Sequence, residues 1–401
     1  MSEYAVTRWL EGGAVCSARW RSESGLPPPG KIVIADDTMK ADVAYRLACE
    51  GTALLWRGDF QNAKQLLQAL ARRADKKPHK TSAIPGEAFH LYRQAQSQRA
   101  RILVMILIPL ASDYSIALNR APDVRQACVE AYGAGSENSV LALRELLGII
   151  GAHEWRKKGV AITALNADGQ GSGAQAVEEQ TARIYPHYGV FSPVRGEYVE
   201  LVRNAPLPPA FPVPQLAFDI GTGTGVLAAI LARRGVQRVI ATEQDPRAIV
   251  CARENITRLG LNTQVQIVQA DLFPAGKAQL IVCNPPWIPA RPNSSLEHAI
   301  FDPGSRMLRG FLHGLAAHLE PGGEGWLILS DIAEHLGLRT RNELLATINA
   351  AGLTVLARLD VQPHHPRAAD TTDPLYAARA AEITSLWRLA GRGNVESAFR
   401  L

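Results

Sequence analysis

Short apolar runs alternate along the chain with longer stretches in which apolar positions recur every three or four residues, the patterns of strands and helices taken in turn. In the first half this predicts strands at Lys31–Ala35, Thr52–Trp56 and 102–108, and helices at 41–50, 60–73, 87–98, 123–133 and 139–158. Strand and helix in alternation are expected to build a parallel sheet. Pro27-Pro28-Pro29-Gly30 reads as a stiff exposed turn. The texture loosens at 166–173, rich in glycine and asparagine, which places a domain boundary near residue 180. Beyond it, strands are expected at Leu216–Ile220, 239–242, 265–268, 280–283, 325–329, 354–359 and 384–389, and helices at 226–234, 246–259, 308–319 and 339–351. Pro321-Gly322-Gly323 reads as a turn. The expectation is an N-terminal α/β domain over residues 1–180 and a second α/β domain over 181–401.

Composition narrows the class without naming a function. A hydrophobic content of 47% with 20% charged residues is ordinary for a folded globular chain and argues against a disordered or fibrous role. Five cysteines, widely spaced and never in a CxxC pair, suggest neither a disulfide framework nor a zinc site, and no metal is expected. The longest apolar run, 102–111, is about half of a membrane span and is broken by Pro109, and the N-terminus lacks the order of a signal peptide; a cytoplasmic protein without a membrane partner is expected. The net charge of +5 is small for this length. Arg72, Arg73, Lys76, Lys77 and Lys80 nevertheless cluster, which fits either a nucleic-acid footprint or solvated helix ends.

Candidate chemistry is concentrated in the second half. The strand Leu216–Ile220 runs into Gly221-Thr222-Gly223-Thr224-Gly225 and then a helix. Alternating glycines let a ligand approach the main chain, and the helix start behind them supplies free N–H groups. Glu243 ends the next strand about twenty residues past the glycines, where a carboxylate accepts from ribose hydroxyls. Asp271 and Leu272-Phe273 follow the third strand, a carboxylate and an apolar ring suited to an adenine's amino group and flat face. By contrast, Asp36-Asp37-Thr38-Met39 after the first strand of the chain is not glycine-rich, so the first half reads as a scaffold or a substrate reader.

The fourth strand ends in Asn284-Pro285-Pro286-Trp287, a polar side chain held by prolines at an edge where α/β sheets bind ligands. Asp219 with Gly221, Gly223 and Gly225, then Glu243, Asp271 and this tetrapeptide, in that order, resemble class I S-adenosylmethionine-dependent methyltransferases of the branch that methylates planar nitrogens. Gly189-Val190-Phe191 with Pro193 and Glu197, and Ile288-Pro289 after the tetrapeptide, are most similar to the glutamine methyltransferases of polypeptide release factors. The chain departs from that family in Trp287, where tyrosine is usual, and in its larger first half. An α/β domain ahead of such a catalytic domain is similar instead to the ribosomal-RNA guanine-N2 methyltransferases. The resemblance covers about 185–391 and implies a seven-stranded Rossmann-like sheet with an antiparallel last strand, S-adenosylmethionine as cofactor, and a macromolecular substrate, protein or RNA. It implies cofactor contacts from Asp219, the three glycines, Glu243, Asp271, Leu272 and Asn284, and substrate contacts from Phe191, Pro193, Glu197, Asn284, Pro286 and Trp287.

The tetrapeptide suits this reaction. In a carboxamide or an aromatic amine the nitrogen lone pair is delocalised. If Asn284 Oδ1 and the Pro285 carbonyl each accept one N–H of the target NH2, they hold it, favour pyramidal nitrogen and direct its lone pair towards the methyl. Trp287 is expected to stack on the flat group. A long insert at 361–382 holds His364-His365, read as loop histidines because a third ligand at useful spacing is missing.

Overall fold

In the computed structural model the described residues are 4–76, 80, 82–166, 182–194, 196–292, 297, 299–363, 370–371 and 373–392. The 167–173 part of the loose stretch, the expected boundary near 180, Lys77 and His364-His365 lie outside them. The chain divides into two compact units, one from Met1 to Glu154 and one beginning at Trp155.

The first unit holds a six-stranded sheet in the order β1-β2-β6-β5-β4-β3. Its strands are β1 Val6–Glu11, β2 Ala14–Arg21, β3 Lys31–Ala35, β4 Thr52–Trp56, β5 Ile106–Leu110 and β6 Ser139–Ala142. The expected parallel core is present in β3, β4 and β5, but β1 with β2 and β5 with β6 run antiparallel, so the sheet is mixed. β1 and β2 form a hairpin closed by Gly12 and Gly13, both at positive φ (57° and 83°), the backbone that a two-residue turn needs. The helix expected over 139–158 is divided: Ser139–Ala142 is a fully buried strand and the helix starts at Leu143. A four-residue apolar run fits either element, and the neighbouring strands β2 and β5 take it into the sheet. Similarly, helix Pro85–Leu103 continues into the range expected for a strand, which begins at Ile106.

The second unit begins ahead of the expected boundary. β7 (Val160–Ala161) pairs with β8 (Arg183–Ile184), and Ile162, Ala164 and Leu165 are buried in the same core as the main sheet. That sheet has seven strands: β9 Leu216–Ile220, β10 Arg238–Glu243, β11 Val265–Gln269, β12 Ala278–Cys283, β13 Leu319–Ser330, β14 Leu353–Val361 and β15 Thr384–Gly391. Their order is β11-β10-β9-β12-β13-β15-β14, parallel except for β15, which is antiparallel to both neighbours. β13 is longer than expected, because Pro321-Gly322-Gly323 lies within the strand rather than forming a separate turn.

Side chains alternate across the sheet with the period of two that strands impose. Ala217, Leu280 and Val282 join one core with helices Glu197–Asn204, Val226–Arg233 and Pro246–Arg258. Phe218, Ile220, Ile281 and Cys283 join the other with helices Arg306–His318 and Arg341–Ala350. The unit is thus a Rossmann-like sheet covered on both faces. From β9 the chain steps outward to β10 and β11, then returns to place β12 on the other side of β9. This reversal opens a crevice at the carboxyl ends of β9 and β12, the position where such sheets bind ligands.

Candidate active site

Both sequence motifs stand at that crevice. Cys283 pairs with Ile220, so Asn284 leaves β12 at the level where Gly221 leaves β9. Gly221, Gly223 and Gly225 all adopt left-handed backbone, with φ of 70°, 55° and 85°, a run that side chains with a Cβ resist. A Cβ on Gly221 would collide with Met307 Cε, whereas the Cβ position of Gly223 opens on free space. Helix Val226–Arg233 follows with residues 226–232 all buried, which fixes the loop rigidly to the core.

Asp219 sits beneath this loop rather than in the open crevice. Its Oδ2 accepts from Thr222 Oγ1 at 2.6 Å and from the Ala228 amide at 3.0 Å, tying strand, loop and helix together. Burial pushes its pKa up to about 6, against these hydrogen bonds, which pull it down, and with the Glu243 charge adding to the rise. A carboxyl whose folded pKa is raised binds protons more readily in the folded state, so its contribution to stability grows as pH falls through the window between about 6 and 3.8. Relative to Asp219→Asn, the native chain is therefore expected to gain up to about 3 kcal/mol between pH 7 and pH 4. Denaturant midpoints of both proteins across that range check this; a constant difference would contradict it.

Glu243 ends β10 with Oε2 on the Gly223 amide at 3.1 Å and Oε1 on the amides of Gln244 (2.8 Å) and Asp245 (3.2 Å). The carboxylate is thereby held against the middle of the glycine loop. Asp271 is exposed and ion-paired with Arg306 at 3.2 Å. Leu272 has φ of 69°, uncommon for a residue with a Cβ, and its carbonyl accepts from Thr242 Oγ1 at 2.6 Å. Strain of this kind persists only where its surroundings enforce it, and here it presents a half-buried leucine at the crevice rim. The neighbouring Phe273 does not share the role expected of it: its ring stacks on His318 at 4.3 Å and on Phe311 at 5.8 Å, within the packing of helix Arg306–His318.

At the second motif Pro285 is buried, while Asn284, Pro286 and Trp287 are half-buried. Trp287 Nε1 donates to Asn284 Oδ1 at 2.9 Å. Ile288 pairs with the segment around Phe301, its carbonyl accepting from the Asp302 amide at 2.8 Å. Buried Asp302 in turn caps helix Arg306–His318, accepting from the Met307 (2.9 Å) and Leu308 (3.3 Å) amides. Through these links Met307, which packs on Gly221, and Arg306, which pairs with Asp271, are set by the strand end that carries Asn284.

The segment 185–194, whose interleaved aromatics and prolines make a rigid lip suited to covering a site, is fixed from below by a residue that sequence reasoning missed. Asn255, fully buried in helix Pro246–Arg258, accepts from the Tyr185 amide at 2.8 Å and donates to the Tyr185 carbonyl (3.3 Å) and to the Thr224 carbonyl of the glycine loop (3.1 Å). An asparagine inside an amphipathic helix gives no signal of its own; the clue is its place on the apolar face, four residues after Cys251. His187 adds a second anchor at Glu254, 2.9 Å away. Asn255→Ala strands buried backbone groups of the lip and loop, an expected loss of about 2 to 3 kcal/mol read as a lower unfolding midpoint. A shift below a few tenths of a kcal/mol would contradict the bridging role. Beyond the anchors Phe191 is half-buried, Pro193 is buried and Glu197 opens helix Glu197–Asn204, which packs on helix Val226–Arg233. Among the described residues no group of three or more His, Cys, Asp or Glu side chains is placed to hold a metal, and no helix is long and apolar enough to cross a membrane.

Residues 184–340 match the family model of the methyltransferase small domain. The chain is 34% identical over 175 residues to a release factor glutamine methyltransferase of Cereibacter sphaeroides, covering 40% of this chain and 58% of that protein. It is 36% identical over 144 residues to a ribosomal protein L11 methyltransferase of Pelotomaculum thermopropionicum, covering 35% and 39%. Over 88 residues it is 39% identical to a tRNA1(Val) (adenine(37)-N6)-methyltransferase of Porphyromonas gingivalis, covering 20% and 34%. The chain thus spans between about a third and 58% of these relatives' own lengths. Over residues 184–340 the chain is thus similar to class I S-adenosylmethionine-dependent methyltransferases, among them release factor glutamine methyltransferases, and its sheet order and glycine loop agree with that likeness.

Proposed function

We propose that this protein transfers a methyl group from S-adenosylmethionine to a planar NH2 nitrogen of a macromolecule, with a protein glutamine amide as the leading substrate. The observation that carries the reading is the placement of Asn284 beside Gly221 at the crevice between β12 and β9. The residues present fit the cofactor: Gly223 leaves room for close approach, Glu243 lies against the loop to receive ribose hydroxyls, and Leu272 offers an apolar surface beside Asp271. The exposed pair of Asp271 with Arg306 is weak enough to yield to an adenine amino group. When bound, the cofactor supplies an electrophilic methyl on sulfur.

The chain's own residues then act on the acceptor. Asn284 Oδ1 and the Pro285 carbonyl take the two N–H bonds of the NH2 group and orient its lone pair. As positive charge grows on nitrogen these fixed acceptors stabilise it without reorganising. The N–CH3 bond would form as the S–CH3 bond breaks and S-adenosylhomocysteine leaves; no strong base is needed before transfer, because the cationic nitrogen is acidic enough to give its proton to solvent afterwards. Phe191, Pro193 and Glu197, at the lip anchored by Asn255, are proposed to frame the substrate, and Pro286 to stiffen the motif. The first unit is proposed as a substrate reader.

Support for protein comes from the names of the release factor and L11 relatives and from Gly189-Val190-Phe191 and Ile288-Pro289. A second reading, an exocyclic amine in RNA, draws on the tRNA relative and on the basic cluster near Arg72. Two arginines of that region are engaged in ion pairs, Arg73 with Asp42 and Arg99 with Asp75, which lowers the charge on offer. Incubation with labelled cofactor in a cell lysate, followed by protease or RNase, separates the readings. Label lost to protease supports a protein substrate, label lost to RNase supports the other reading, and no labelled macromolecule counts against both.

A further inference from the structure

Trp287 makes a hydrogen bond that a stacking role does not use. Its indole N–H donates to Asn284 Oδ1 at 2.9 Å, and the ring packs against the apolar cores on both faces of the sheet. A carboxamide oxygen offers two acceptor positions, so the indole occupies one and leaves the other on the same atom. If the Asn284 amide turned over, its NH2 would face the indole N–H, donor against donor. The anchored indole therefore admits a single orientation of the side chain on which the proposed chemistry depends.

We propose that Trp287 is a positioning residue whose indole N–H locks the acceptor oxygen of Asn284 for the N–H of the methyl acceptor. The inference rests on the N-methyl transfer reading and deepens it: the aromatic residue of the motif acts on Asn284 as well as, or instead of, on the substrate's flat face. Stacking needs only a ring, whereas locking needs a donor at this point. The two roles separate when the ring is kept and the N–H removed.

Trp287→Phe is expected to lower kcat about tenfold, the scale of one hydrogen bond lost at the reacting group, with KM within about twofold and calorimetric affinity for S-adenosylmethionine unchanged. Turnover is measured on the macromolecular fraction that the wild-type chain labels. Because the smaller ring can loosen the core, a second protein carries benzothienylalanine at position 287, which keeps the bicycle and replaces N–H with sulfur; it is expected to show the same loss. Wild-type turnover in both variants would overturn the inference and leave the function standing, whereas a wild-type chain that labels nothing would overturn both. A third readout does not need turnover. The 15N indole resonance of Trp287, identified by its disappearance in Trp287→Phe, should shift and exchange faster with solvent in Asn284→Ala. An indole signal indifferent to Asn284→Ala would show that the lock does not exist in solution.

Discussion

Asn284→Ala is expected to lower kcat by ~10²- to 10³-fold while S-adenosylmethionine binds with affinity within about threefold of the native value. The size follows from what the side chain does in the proposed mechanism. A neutral hydrogen bond made equally to bound substrate and transition state would change KM and little else. The Asn284 oxygen gains strength as the acceptor nitrogen becomes positive, so its removal is felt in the barrier. The Pro285 carbonyl survives the substitution, because it belongs to the backbone of a buried proline, and it keeps part of the catalysis. The cofactor loop is fixed independently by Asp219, Glu243 and Asn255, so its affinity for the cofactor should not follow kcat down. Single-turnover rates and calorimetry on the same protein read the two quantities, and unchanged turnover would remove Asn284 from the chemistry.

The second large effect is expected at Gly221. A residue with a Cβ there must hold φ near 70° and also displace Met307. Left-handed backbone costs ~1 to 2 kcal/mol for ordinary residues and more for a β-branched one. The atom in the way is the terminal Cε methyl of Met307, which can rotate aside, so the larger part of the cost lies in the left-handed backbone. Gly221→Val should therefore distort the loop, with cofactor affinity reduced by at least about 10²-fold, the equivalent of ~3 kcal/mol. Gly221→Ala should fall between. Retained affinity in Gly221→Val would mean that the loop is not the cofactor cradle.

Much of this site was legible in the sequence because its chemistry lies at strand ends. An apolar run followed by glycines, an acid or Asn-Pro-Pro announces both the strand and what stands at its tip, and β9, β10, β11 and β12 follow that rule. Where the pattern failed, local information was ambiguous or incompletely used. Ser139–Ala142 could enter a helix or a sheet, and only its partners β2 and β5 decide. The β1–β2 hairpin does carry a local signal, Gly12-Gly13 between two alternating runs. Asn255 was invisible for a deeper reason. Its value lies in joining Tyr185, Thr224 and its own helix, three segments that meet only after folding. Phe273 shows the opposite error, an aromatic near a binding site that packs inward because His318 and Phe311 are there to receive it.

The hydrogen bond from Trp287 to Asn284 changes how the motif works as a unit. Read as four residues, it offers two acceptors, a stiffener and a plane. Read in three dimensions, the plane is also a donor that decides which way one acceptor faces. In the proposed mechanism, selection of a flat NH2 group then rests on the geometry of the pair rather than on either residue alone.

The most direct measurement is mass spectrometry of the acceptor after reaction with S-adenosylmethionine carrying a deuterated methyl group. The expected result is a single labelled methyl on an amide or exocyclic amine nitrogen, present with the native chain and strongly reduced with Asn284→Ala. Label on oxygen, sulfur or carbon, or no transfer by the native chain, would contradict the account.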